Sequence, residues 1–213
     1  MTEVILVRHG ETLWNQQGRM QGQRDSPLTE LGVRQARLLA GRLKDVSFAA
    51  LYSSDLGRAY RTARSIADET AHEIVADTRL RERHFGIFEG LTNAEIEVRY
   101  PGHYERFASR DPEFAMPGGE SALDFRERCL ACMEEIAIRH AQTSVVVVAH
   151  GLVLDALYRE ALGMKLGQAR GFPLLNCSVN TFRYESGRWK VVAVCDVAHL
   201  GAEGVTEFQS RVV

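Results

Sequence analysis

Val4-Ile5-Leu6-Val7-Arg8-His9-Gly10-Glu11-Thr12 opens the chain, and a stretch of the same build, Val145-Val146-Val147-Val148-Ala149-His150-Gly151, lies far downstream. In each, an unbroken apolar run rich in β-branched side chains ends in His-Gly. Runs of this length without polar alternation suit strands covered on both faces, as in a parallel sheet between helices. Open sheets of that kind bind ligands in the crevice beyond the carboxyl ends of their strands. Two imidazoles delivered to that edge, one preceded by an arginine, suit a site for phosphate chemistry.

Working outward from these strands, helical and strand patterns alternate. An amphipathic helix is expected over Leu28 to Leu43 after Ser26-Pro27, with Thr29 as its N-cap. A short strand is expected over Ala49 to Ser53, then a helix from about Asp55 to Glu69 and a strand over Glu73 to Val75. A helix over Asn93 to Tyr100 is expected to stop at Pro101-Gly102, and a long one runs from about Ser121 to His140. After the valine strand comes a helix from Leu152 to Leu162, closed by Gly163. Two last strands, Val179 to Tyr184 and Trp189 to Val194, flank the hairpin signal Glu185-Ser186-Gly187-Arg188. No repeat, low-complexity tract or linker divides the chain. The pattern predicts an α/β fold with a mostly parallel central sheet and helices on both faces, built as a single domain over residues 1–213.

Composition narrows the function. With 45% hydrophobic and 25% charged residues, the chain can fill a core and present a polar surface. A formal charge of −2 argues against a nucleic-acid partner gripped by a broadly basic face. The first apolar run ends at Arg8, short of a membrane span, and Met1-Thr2-Glu3 lacks the basic start of a secretory signal. A cytoplasmic location is therefore expected. Cys129 and Cys132 form a CxxC inside a helical pattern, with no second ligand pair for zinc, and read as packed thiols. Only Lys44, Lys165 and Lys190 are lysines, so the positive charge is almost all guanidinium, and position alone decides which arginines matter.

Strand ends supply those positions. Arg8 and His9 follow the first strand, Ser53-Ser54-Asp55-Leu56-Gly57-Arg58 the second, Glu82 the third, and His150 the valine strand. Arginine forks bind phosphate oxygens with direction as well as charge. A histidine among such cations is held neutral and can act as a nucleophile. A carboxyl group beside a bound dianion keeps its proton and can give it to a leaving oxygen. A second imidazole can donate to the phosphoryl oxygens. The chemistry calls for neither a metal nor a cofactor, and its partner is a small-molecule phosphomonoester.

The ordered set of motifs resembles the histidine phosphatase superfamily, in its phosphoglycerate-mutase-like branch. The likeness runs through Leu6 to Thr12 with Trp14-Asn15, through Gln21-Gly22 and Asp25-Ser26-Pro27-Leu28-Thr29, and through Tyr52 to Ala59 with Thr62-Ala63. It resumes at Leu80-Arg81-Glu82, Gly86, Phe88-Glu89-Gly90, Pro117 to Ser121 and Ala149-His150-Gly151. The resemblance implies a three-layer α/β/α sandwich. It implies His9 as the phosphorylated nucleophile, Glu82 as proton donor, and Arg8, Arg58 and His150 as the phosphate pocket. Asn15, Gln21, Gly22 and Gly151 fall where such proteins contact phosphate or substrate.

The same resemblance separates mutase from phosphatase. Cofactor-dependent mutases follow His-Gly with Asn, show Thr-Gly-Trp where this chain has Gln21-Gly22-Gln23, and carry a longer insertion before the second histidine. Leu152 after Gly151 and a short segment from Asn93 to Phe114 favour a phosphatase similar to the broad-specificity bacterial type. A mutase, or a non-catalytic phosphate-binding domain, is the alternative. Trp14, Phe107 and Phe114 are candidates for the specificity side, and Pro117 to Ser121 for a substrate-side loop or a helix cap. His84 is placed equally well beside Glu82 or in packing, His199 in structure, and the sequence leaves a homodimer and the role of the C-terminal tail open.

Overall fold

β1 (Thr2–Arg8) and β4 (Ser144–Ala149), the two strands that end in His-Gly, lie side by side and parallel, from Glu3 opposite Ser144 to Arg8 opposite Ala149. The structure is a computed structural model and describes residues 1–205. β2 (Leu51–Ser53) pairs in parallel with the other side of β4, and β3 (Ile74–Ala76) with β2. Beyond β1 the hairpin β5 (Val179–Glu185) and β6 (Arg188–Asp196) adds two antiparallel pairings, giving the order β3-β2-β4-β1-β5-β6.

The strand pleat sends alternate side chains to opposite faces, and helices cover both. Val4, Leu6, Val145 and Val147 pack against α6 (Ala122–Arg139) and α7 (Gly151–Leu162). Ile5, Val7, Val146 and Val148 pack against α2 (Glu30–Leu43) and α3 (Gly57–Thr70). The result is the expected three-layer sandwich. Each such buried aliphatic side chain contributes roughly 1.5–3 kcal/mol. Continuous valine runs are thus explained by burial on both sides.

Local chemistry sets the helix ends. Thr29 Oγ1 accepts from Gly32 N–H at 2.9 Å and starts α2, which buries Ala36, Leu39, Ala40 and Leu43 along one stripe. α2 begins at Glu30 rather than Leu28, because Leu28 forms a bridge to Thr12. α3 likewise begins at Gly57, two residues after the expected start. A short helix, α1 (Leu13–Gln16), closed by a Thr12–Asn15 capping box, was not legible as an apolar pattern. The expected stop at Pro101-Gly102 holds, and what the sequence reading lacked is the helix that follows it. α4 (Asn93–Arg99) ends there, but Pro101 opens α5 (Pro101–Ala108), since the first turn has no need of a backbone N–H.

Residues between β3 and α6 rise over the carboxyl edge of the sheet around a small separate core of Met20, Phe85, Phe88, Ile96, Phe107, Phe114 and Met116. Cys129 and Cys132 lie under the sheet in α6 as free thiols, and burial pushes both up, Cys132 to about 12. Among the described residues no helix is long and apolar enough to cross a membrane.

Candidate active site

Because β1 and β4 end level, His9 and His150 stand together at the carboxyl edge, ring centroids 5.3 Å apart. β2 ends beside them, with Ser54 N–H donating to Val148 O at 3.0 Å. α3 presents Arg58 in its first turn. No side chain of its own caps α3; Asp25 Oδ1 accepts from Arg58 N–H at 3.2 Å and does that work from a distant loop. Glu82 arrives from the segment after β3. Its Oε1 accepts from Arg83 N–H at 2.8 Å and its Oε2 from Leu152 N–H at 3.2 Å, which sets the carboxyl at the positive end of α7.

These groups surround a cavity of about 640 Å³. Arg8, His9, Arg58 and Glu82 line it, as do Asn15, Gln21, Gly22 and Gly151. His150 differs from the expectation of a lining residue. It lies fully buried behind His9, with Nε2 2.8 Å from Ser54 Oγ and no hydrogen-bond partner for Nδ1 among the described residues. Gly22 sits at φ +55°, and a Cβ there would come within 2.0 Å of Glu89 Oε1, so any side chain would strain the backbone and displace the Glu89 carboxylate. Glu89 earns that proximity by accepting from Gln23, Arg24 and Phe85 N–H, which binds the two loops roofing the cavity.

Electrostatics assign each ring a state. His9 Nδ1–H donates to Gly10 O at 2.8 Å, so the lone pair is on Nε2, toward which Arg58 Nε–H points at 3.3 Å. Burial first, then Arg58 and Arg8, hold His9 well below the usual imidazole range. Burial, followed by Arg58, does the same to His150. Burial raises Glu82, against the opposing pull of the Arg83 and Leu152 N–H groups and of Arg58 and Arg8. Arg58 itself is 1% exposed and is held by Gly22 O at 2.7 Å, Arg24 O at 2.8 Å and Asp25. The cavity therefore offers a neutral imidazole lone pair, fixed guanidinium charge and a carboxyl biased towards keeping its proton.

Several expectations fall elsewhere. His84 turns to Glu89 at 3.6 Å, away from the cavity lining. His199 Nε2 pairs with Cys177 O at 3.1 Å, a structural use. Ser121 caps α6 through Asp124 N–H at 3.0 Å, and Gly119 packs on the His84 backbone, so Pro117 to Ser121 shapes the roof without lining the cavity. Phe107 and Phe114 line a second cavity of about 700 Å³ next door, and Trp14 lies against Gly90. The tail, residues 206–213, is outside the described residues. Sequence reasoning placed Ser54 at the end of the second strand but gave it no role; the structure sets its Oγ 2.8 Å from His150 Nε2. Sequence reasoning passed over Arg170 and Leu174, which line the cavity from an irregular segment with no pattern to mark them.

A sheet of this order, with two His-Gly strand ends around an arginine-rich crevice, defines a class. The sequence profile of the histidine phosphatase superfamily (branch 1) matches residues 4–197, and the chain belongs to that family. It is accordingly an enzyme of the phosphatase kind. A metal-independent phosphoserine phosphatase of Arabidopsis thaliana is 40% identical over 208 residues, covering 96% of this chain and 85% of that protein. A probable phosphoglycerate mutase, GpmB, of Yersinia pestis is 35% identical over 214 residues, covering 98% of this chain and all of that one. Among solved structures, YhfR of Bacillus stearothermophilus superposes with a TM-score of 0.87 at 37% identity, covering 93% of this chain and 99% of that one.

Proposed function

We propose that the protein is a metal-independent phosphomonoesterase that hydrolyses small phosphorylated metabolites through a phosphohistidine on His9. The supporting observation is the pairing of His9 Nδ1–H with Gly10 O, which leaves the Nε2 lone pair of a neutral ring at the cavity beside Arg58. Nε2 attacks phosphorus in line with the ester oxygen; the N–P bond forms as the P–O bond breaks. Arg8 and Arg58 take the equatorial charge. Glu82 gives its proton to the leaving oxygen, then takes one from the water that attacks the phosphohistidine, releasing inorganic phosphate and neutral His9.

His150 has a donor's part in this scheme. Ser54 Oγ accepts from Leu56 N–H at 3.3 Å and gives its own proton to His150 Nε2, which puts the ring hydrogen on Nδ1. That N–H has no hydrogen-bond partner among the described residues, and in this scheme it donates to a phosphoryl oxygen of the bound substrate.

Hydrolysis of p-nitrophenyl phosphate in the presence of a chelator, with an acid-labile phosphoryl group trapped on His9, is the expected outcome. A metal requirement, or undiminished turnover by His9→Ala, would overturn the assignment. Incubation with 3-phosphoglycerate and a trace of 2,3-bisphosphoglycerate should release free phosphate; rapid 2-phosphoglycerate formation without it would make the protein a mutase.

A further inference from the structure

The tautomer of His9 hangs on one backbone carbonyl, because Nδ1–H donates to Gly10 O. That oxygen belongs to the peptide plane joining Gly10 to Glu11. Each plane along this turn is held from outside it. The plane before His9 is fixed in the sheet: His9 N–H donates to Ala149 O at 3.1 Å, and Arg8 O accepts from Cys177 N–H at 3.0 Å. The plane after it is gripped at both ends, with Asn176 Nδ2 donating to His9 O at 2.8 Å and Gly10 N–H donating to Thr62 Oγ1 at 3.1 Å. On the third plane, Glu11 N–H donates to Gln35 Oε1 at 2.8 Å. Apart from the imidazole itself, that is the only hydrogen bond to this plane among the described residues.

Gln35 is fully buried on α2. Its Nε2 donates to Gly204 O at 2.7 Å. A carbonyl only accepts and an N–H only donates, so these two contacts fix the amide with Oε1 toward Glu11. In a trans peptide the C=O and N–H point to opposite sides of the chain, and no cis bond is present among the described residues. Drawing Glu11 N–H towards α2 therefore turns Gly10 O the other way, onto the imidazole. Gly10 makes an outside hold necessary. It has glycine's freedom to reorient, and a Cβ there would come within 2.5 Å of Gly32 O on α2.

We propose that Gln35 is a positioning residue for the nucleophile: by holding Glu11 N–H it aims Gly10 O at His9 Nδ1 and keeps the lone pair on Nε2. This role rests on the one given above to His9. Without the hold, the Gly10–Glu11 plane swings, the ring proton loses its acceptor, and both neutral tautomers are populated. Arg58 Nε–H, at 3.3 Å from Nε2, then favours the reactive tautomer alone.

Three replacements of one side chain test this. Gln35→Met keeps the length and loses the acceptor, and Gln35→Asn keeps an amide one methylene too short. Gln35→Glu, neutral when buried, retains an acceptor for Glu11 N–H and a donor for Gly204 O. Nitrogen NMR of isotope-labelled imidazoles reads the tautomer, the His9 signals being those missing from His9→Ala. The native protein should show a protonated Nδ1 and a bare Nε2. Gln35→Met and Gln35→Asn should show mixed tautomers and a kcat about fivefold lower on p-nitrophenyl phosphate, with KM little changed because Arg8 and Arg58 stay in place. Gln35→Glu should restore both readouts. A native His9 protonated on Nε2 overturns the proposal before any substitution. So does a folded Gln35→Met or Gln35→Asn protein with the native tautomer, whatever its kcat, since a merely packed glutamine would give that result. A phosphoryl group trapped on native His9 beside such a result strikes the Gln35 role alone; its absence would remove the nucleophile assignment as well.

Discussion

The two His-Gly strand ends read alike in sequence and part company in space. After His9 the chain turns through Gly10 into a loop, the ring sits on the cavity wall, and its Nε2 lone pair accepts from Arg58 Nε–H there. After His150 the chain enters α7 at once, the ring is fully buried, and Nε2 is committed to Ser54. Both rings are held neutral by burial among the same arginines. Hence charge does not distinguish them; the hydrogen bond each makes does. An imidazole whose proton is tied down on Nδ1 is a nucleophile at Nε2, whereas one fed a proton at Nε2 is a donor at Nδ1.

The widest gap should open on truncation. His9→Ala is expected to lose at least about 10³-fold in kcat and every trace of phosphoenzyme. His150→Ala should lose about 10²- to 10³-fold but still form phosphoenzyme in a quenched single turnover. Label retained by the first variant and lost from the second would reverse the two assignments. Next in size, Glu82→Gln should slow poor leaving groups by about 10²- to 10⁴-fold and p-nitrophenyl phosphate far less. With Glu82 acting in its protonated form, as proposed, kcat/KM for a poor leaving group should fall as pH rises through its elevated pKa, and the variant should lack that alkaline limb.

A smaller effect should come from Ser54→Ala. Loss of one hydrogen bond worth about 1 kcal/mol should cut activity about fivefold by freeing the His150 tautomer. An equal loss of activity in Ser54→Ala and His150→Ala would mean that Ser54 does more than orient the ring. The smallest signal is thermodynamic. Both histidines have folded pKa values below 6.5, so below that pH the unfolded chain binds protons the fold refuses, and stability falls as pH falls. Each ring should cost about 1.3 kcal/mol between pH 7 and 5.5. Denaturant titrations at the two pH values should show the loss, and His150→Gln should reduce it; a midpoint indifferent to pH would mean that the rings titrate normally.

Much of this was legible because strand ends are legible. Unbroken valine runs suit doubly covered strands, and residues at the carboxyl ends of parallel strands share one sheet edge, so Arg8, His9, Arg58, Glu82 and His150 could be nominated from the linear order, while their convergence depended on the strand order. Helix boundaries were less secure, since Pro101 both follows the end of α4 and opens α5, and reading it as a stop alone hid the second helix. Arg170 was invisible for a stronger reason: its place depends on Asp155, Arg159 and Phe172 acting across an irregular segment, and no periodicity encodes that. His84, two residues from Glu82, turned away because Glu89 offered it a partner on the roof.

The roof over the site has its own apolar centre, distinct from the two on the opposite faces of the sheet. Its side chains and those that fix the histidines therefore answer to different packing demands. A lineage could remodel what hangs above the imidazoles, and with it the alcohols admitted, while the strands that hold those imidazoles in place went on unchanged.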